Sequence, residues 1–148
     1  IPEHGFEMQW NLASDEGLWI TAPDSVRQIG CIHTCQGLEV DYIGVIVGPD
    51  LAMSGDRVEA RPDKRSRQDH TIRGYKSELK SKPEATRRKA DAIVRNTYRT
   101  LMTRGMKGCY VYCVDAELAR HLKGRIRAAA EPPSLLRVAE EAARYGDR

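Results

Sequence analysis

The sequence has no phosphate loop of the form G-x-x-x-x-G-K-[ST], and no lysine follows a Gly-rich turn at the head of a helix. A self-sufficient nucleotide hydrolase would be expected to carry one. No G-x-S-x-G elbow, H-E-x-x-H or C-x-x-C occurs, which removes the usual signatures of serine hydrolases, zinc proteases and thioredoxin-like enzymes. SDEG (14–17) offers two acids, but no apolar run precedes it, so it reads as a turn rather than a magnesium-binding strand end. His33, His70 and His121 are scattered and read as structural or solvated rather than catalytic. No stretch of about 18 apolar residues exists to span a membrane. The opening IPEHGFEMQW has neither the basic start nor the apolar run of a signal peptide, and we expect a cytoplasmic protein with no membrane partner. The chain begins at Ile1 rather than Met, and we expect a fragment of something longer, inactive by itself.

What is present fits one soluble domain. At 148 residues, 41% apolar and 30% charged, the chain can bury a sizeable core without disulfides or metals. Its net charge of +3 is unevenly spread: residues 57–95 hold thirteen Lys/Arg and six Asp/Glu, a local +7 against −4 elsewhere. Such a block reads either as a polyanion contact or as a solvated loop and helix face. The four cysteines form two C-x3-C pairs, Cys31/Cys35 and Cys109/Cys113. Without a secretory signal or a cysteine-dense framework, disulfides are not expected. An all-cysteine zinc site is the sharper alternative. Against it, Cys109 and Cys113 flank YVY inside an evident strand, where positions four apart lie about 13 Å from each other, too far to share one metal. Buried structural thiols are therefore the expectation, with no metal ligands assigned.

Along the chain, residues 1–17 read as irregular, with Trp10 a packing anchor, and GLWIT (17–21) as a short strand. VRQIGCIHT (26–34) reads as a strand leading into CIHTCQGLE (31–39). YIGVIVG (42–48) is a nearly continuous apolar run of the kind a parallel sheet buries on both faces. Residues 52–82 lack apolar periodicity and read as an extended, mobile basic insertion with one or two short strands at most. From Ser81 and Pro83 onward, Ala90, Ile93, Val94, Thr97, Tyr98 and Leu101 form one helical stripe, and Gly105 offers a stop. GCYVYCVD (108–115) is the next strand, Asp115 caps AELARHLKGRI, and a last helix is expected over about 134–145. Strand, strand, long helix, strand, helix, helix is an α/β order with a mostly parallel sheet flanked by helices.

Two segments stand above this background: IGCIHTCQGLEVDYIGVIVGPDL (29–51) and NTYRTLMTRGMKGCYVYCVD (96–115). HTCQGLEVDYIGVIVG resembles motif V of superfamily 1 DNA/RNA helicases, and YRTLMTRGMKGCYVY resembles the helix and strand of motif VI. The closer resemblance is to the bacterial helicase-like proteins of the Schlafen group 3 type, over about residues 8–123. It implies a second, C-terminal RecA-like lobe of the P-loop NTPase type over 1–148, with the insertion at about 52–82. In that family the first lobe carries the phosphate loop and the magnesium-binding acids, and ATP sits between the lobes. The implied cofactors are ATP and Mg2+ in the longer protein, and the implied partners are the N-terminal lobe and DNA or RNA.

The resemblance also assigns roles. Arg104 is the arginine finger, with Thr103 orienting it; a planar cation there can stabilise charge on the transferring phosphoryl group. Gln36 bridges nucleotide and lobe movement. Gly37 lets the backbone approach a phosphate or ribose, and Glu39 accepts a hydrogen bond from a ribose hydroxyl. His33 and Thr34 stand where the family couples to the nucleic-acid backbone, and Arg87 and Arg88 are further candidates for it. Structural readings remain beside these: Arg104 complements a helix C-terminus, and Glu39 is a solvated turn acid. This chain departs from the wider helicase pattern in TRG rather than TRA, and in Arg99 where an aromatic is common. Two rivals stay open, a nucleic-acid-binding module without ATPase activity and a zinc-stabilised interaction domain.

Overall fold

The computed structural model describes residue 1 and residues 5–10, 19–66 and 69–130. In chain order the elements are β1 (Gln9–Trp10), β2 (Gln28–Ile29), the single helical turn α1 (Ile32–Cys35), β3 (Val40–Val47), β4 (Leu51–Ser54), β5 (Arg57–Ala60), α2 (Tyr75–Ser81), α3 (Pro83–Met102), β6 (Gly105–Cys113) and α4 (Ala116–Ala130). The class is mixed α/β. Among the described residues the strands form three two-stranded sheets: β1 with β2 and β3 with β6 are parallel, and β4 with β5 is an antiparallel hairpin.

The β3–β6 pair organises the rest. Parallel neighbours need a long crossover, and here the β4–β5 hairpin, α2 and α3 supply it. Val45, Val47 and Cys113 turn inward onto Val94 and Tyr98 of α3 and Leu118 of α4, with Leu51 completing the core. Val47, Val94 and Leu118 are the largest fully buried side chains, each contributing about 1.5–3 kcal/mol by leaving water. α3 forms where its stripe demands: Pro83 sits in the first turn, where its missing N–H breaks no bond, and Thr86, Ala90, Val94 and Tyr98 are buried at i, i+4 spacing. At the other end, a Cβ on Gly105 would collide with the carbonyl oxygen of Gly108, so the passage from helix into β6 requires glycine. Asp115 caps α4, its Oδ1 accepting the amide of Leu118 at 2.7 Å.

Several sequence expectations change. Trp19–Thr21 is a 3-10 turn rather than part of a strand, with Trp19 buried against Gly30 and Cys35. The expected 26–34 strand shrinks to Gln28–Ile29, because the IHTC segment closes into α1 under the Cys31–Thr34 cap. β3 is not buried on both faces: Tyr42 is 58% exposed, and Ile46 and, on β6, Tyr110 also face outward. The described residues of the 52–82 insertion form a hairpin packed on α3 followed by α2. Period-2 burial over two four-residue strands is too short to register as a pattern amid the charges. The final helix expected over 134–145 lies outside the described residues. Among the described residues, no helix is long and apolar enough to cross a membrane.

Candidate functional site

CIHTCQGLE folds as one helical turn and a reversal. Cys31 is the N-cap of α1; its amide donates to Thr34 Oγ1 at 2.9 Å, a reciprocal box that fixes the turn. Trp19 braces it from outside, its Nε1 donating to the Thr34 carbonyl at 3.2 Å. Gly30 makes room, since a Cβ there would strike the Trp19 ring and stand 2.8 Å from Cys35 Sγ. After Gln36 the chain reverses at Gly37, whose φ of +82° is the left-handed region that favours glycine. Nothing lies within 4 Å of where a Gly37 Cβ would stand, so its outer face is open. Gln36, Gly37 and Glu39 are all exposed. Gly37→Ala is expected to cost about 1–2 kcal/mol of stability from backbone strain alone. Gly37→Asn should recover part of it, measured by denaturant unfolding.

The second motif arrives at the same place. The amide of Val40, the first residue of β3, donates to the carbonyl of Arg104 at 3.0 Å. The Gln36–Glu39 reversal and Thr103–Arg104 therefore lie side by side at the N-terminal ends of β3 and β6. Arg104 folds back over its own helix end, Nε donating to the Thr100 carbonyl at 3.1 Å and Nη2 to Thr103 Oγ1 at 3.3 Å. Thr103 is itself held by the Thr100 carbonyl at 3.0 Å. The orienting role expected of Thr103 thus has a hydrogen bond to act through.

His33 is exposed, with Nε2 4.0 Å from Asp69 Oδ1. Thr34 is committed to the α1 cap. Arg87 and Arg88 lie exposed near the start of α3, apart from the reversal in sequence and on a different element. Lys107 pairs with Asp41 at 2.7 Å across the β3–β6 pair.

A buried polar network at the opposite, C-terminal end of β3 escaped the sequence reading. Tyr98 donates its hydroxyl proton to Asp50 Oδ1 and accepts the Gly48 amide at 3.0 Å. The guanidinium of Arg65, only 6% exposed, reaches Asp50 Oδ2 at 3.4 Å, Asp69 Oδ2 at 2.6 Å and Thr97 Oγ1 at 2.9 Å. Burial, then the hydrogen bond and charge of Asp50, push the Tyr98 phenol well above its usual range, so it remains a proton donor. For Asp69, burial raises the pKa. The Thr71 hydroxyl and amide and the Arg65 guanidinium outweigh it and hold the carboxyl below its usual range. From the sequence alone neither Asp50 nor Arg65 has an assigned role. The only sequence signal was an acid three residues beyond the end of an apolar strand.

The cysteines are all free thiols and differ in setting: Cys35 and Cys113 are buried, Cys31 is half-buried and Cys109 is exposed. The expectation of buried thiols holds for two of the four. Burial raises the Cys35 and Cys113 thiols above their usual pKa, so neither is primed as a nucleophile. Among the described residues no three His, Cys, Asp or Glu side chains gather to hold a metal ion.

The sequence model of the Schlafen group 3, DNA/RNA helicase domain family matches residues 1–115, and the chain belongs to that family of helicase-like domains. A relative is found in Saccharomyces cerevisiae, an uncharacterized protein 28% identical over 121 residues, covering 79% of this chain and 25% of the yeast protein. The chain thus spans a quarter of that relative's length. No solved structure matches the chain.

Proposed function

We propose that this chain is the second RecA-like lobe of a superfamily 1 helicase-like ATPase. It would supply motif V and the motif VI arginine finger to an ATP site completed by an N-terminal lobe of the same longer protein. The observation that carries the reading is the Val40–Arg104 backbone bond, which sets two sequence-distant motifs against each other at one end of a parallel strand pair.

The residues there fit a nucleotide. Gly37 leaves its outer face open to a phosphate or ribose. Glu39 is an exposed carboxylate able to accept a ribose hydroxyl's proton. Arg104, hinged on the Thr100 and Thr103 oxygens, is a cation that can swing from its own helix end to the cleft. Gln36 sits between these and α1, placed to report a nucleotide to the lobe. ATP with Mg2+ would bring the phosphoryl group whose charge the arginine stabilises. His33 and Thr34, one turn earlier, would face the nucleic-acid strand, and the cytoplasm is the setting that the reading fits.

A second reading, a nucleic-acid-binding module without ATPase activity, is favoured by one feature, the absence of a phosphate loop from these 148 residues. ATP hydrolysis by the longer protein, with and without single-stranded DNA or RNA, decides between them. We expect turnover that nucleic acid stimulates. Binding without turnover would favour the second reading.

A further inference from the structure

Apart from exposed Arg57 and Lys64, the fold divides the described cations of the basic block into two populations. Arg61, Arg65 and Arg95 are spent on the protein itself. Arg61 donates to the Met53 carbonyl at 3.0 Å, Arg65 joins the buried network, and Arg95 pairs with Asp91 and reaches the Val58 carbonyl. Seven other cations, Arg73, Lys76, Lys80, Lys82, Arg87, Arg88 and Lys89, are all exposed, and none has an ion pair or a side-chain hydrogen bond among the described residues. Only two acids, Glu78 and Glu84, share that stretch, so it carries +5 of the block's +7.

Geometry gathers five of these, Arg73, Lys76, Lys80, Lys82 and Lys89, around the packing of α2 on α3. α2 turns Tyr75 and Leu79 partly inward and leaves Lys76 and Lys80, one turn apart, facing solvent. Lys82 forms the junction, and α3 packs back against α2 with Arg73 and Lys89 on the wall of one cleft between them. An open groove of about 730 Å³ beside α2 has Arg73 and Lys76 on its wall. Clustered cations left unpaired raise the local potential and the self-repulsion of the fold. A polyanion that neutralises them relieves both and releases its condensed counterions.

We infer that the α2–α3 corner is the phosphate-backbone contact of this lobe, holding a nucleic-acid strand by charge without reading its bases. This deepens the proposed function and rests on its nucleic-acid part, not on its ATP site. The contact is separate from the α1 turn, where His33 and Thr34 stand.

The test uses the longer protein and a fluorescent single-stranded oligonucleotide, as DNA and as RNA, with affinity followed over about 50–200 mM salt. The variant carries Arg73→Gln, Lys76→Gln, Lys80→Gln and Lys89→Gln. It should bind about tenfold or more weakly near 0.1 M salt, with a salt slope shallower by roughly 0.7 per lost phosphate contact. A charge-matched control carries Arg57→Gln on β5 and Lys123→Gln, Arg125→Gln and Arg127→Gln on α4, all exposed and outside the corner. It should bind and hydrolyse ATP as the parent does. An unchanged slope in the first variant, or an equal loss in the control, overturns the corner while leaving the helicase-like reading intact. A parent that binds neither strand overturns both.

Discussion

Replacing Arg104 with alanine in the longer protein is expected to slow ATP turnover by about two orders of magnitude or more, the scale of an arginine finger's loss. The expectation follows from chemistry and position together. As negative charge builds on the transferring phosphoryl group, a guanidinium can meet it with paired N–H groups in a fixed fork. Lysine offers only a point charge, so Arg104→Lys should recover little. The structural competitor is also visible: Arg104 satisfies the Thr100 carbonyl at 3.1 Å and covers the end of α3. If that were its whole role, alanine would cost about 0.5–1.5 kcal/mol of stability, the worth of one hydrogen bond, and turnover per folded molecule would not move. Steady-state turnover measured beside a denaturant curve separates the two. Intact turnover with reduced stability returns Arg104 to the helix end.

The second large effect concerns folding. Arg65→Met should destabilise the domain by about 3–5 kcal/mol, because it strands two carboxylates whose shared cation is gone. Asp50 is only 8% exposed and Asp69 16%, so water cannot take the place of the guanidinium. Lys107→Met removes a pair of equal formal charge at 2.7 Å, but its side chains are 60% and 65% exposed. It should shift stability by no more than about 1 kcal/mol. Urea midpoints of the two variants give the comparison, and equal shifts would contradict the burial argument. Acid supplies an independent check. Asp69 has a folded pKa below its usual 3.8, so its contribution is complete above that value and is lost as pH falls through the lowered one. Wild-type stability should therefore fall on acidification below pH 3.8, and Arg65→Met, lacking one source of that lowering, should lose less over the same range.

Much of this was legible in the chain. The α3 stripe, the β3 and β6 runs and the Asp115 cap rest on local periodicity and local hydrogen bonding, which a sequence carries in full. One or two short strands were expected in 52–82, but their pairing and α2 were hidden because charged side chains mask elements whose burial comes from a neighbour, here α3. α1 was misread as strand because its apolar residues fit either period over so few positions. On the candidate site, the types and spacing in QGLE and TRG gave the residues, while their contact through Val40 and Arg104 was beyond local reasoning.

The sequence by itself determined the family, the α/β order, the long helix and the two motifs, since each depends on residues close together along the chain. Tertiary structure alone decided which charges are structural and which are free. Arg65 and Lys76 look alike in a basic run, yet one lies buried between Asp50, Asp69 and Thr97 and the other points to solvent. The physical reason is that a charge's partners are chosen by packing between distant segments. In this chain, packing buried Arg65 against two carboxylates and left the cations of the α2–α3 corner facing solvent.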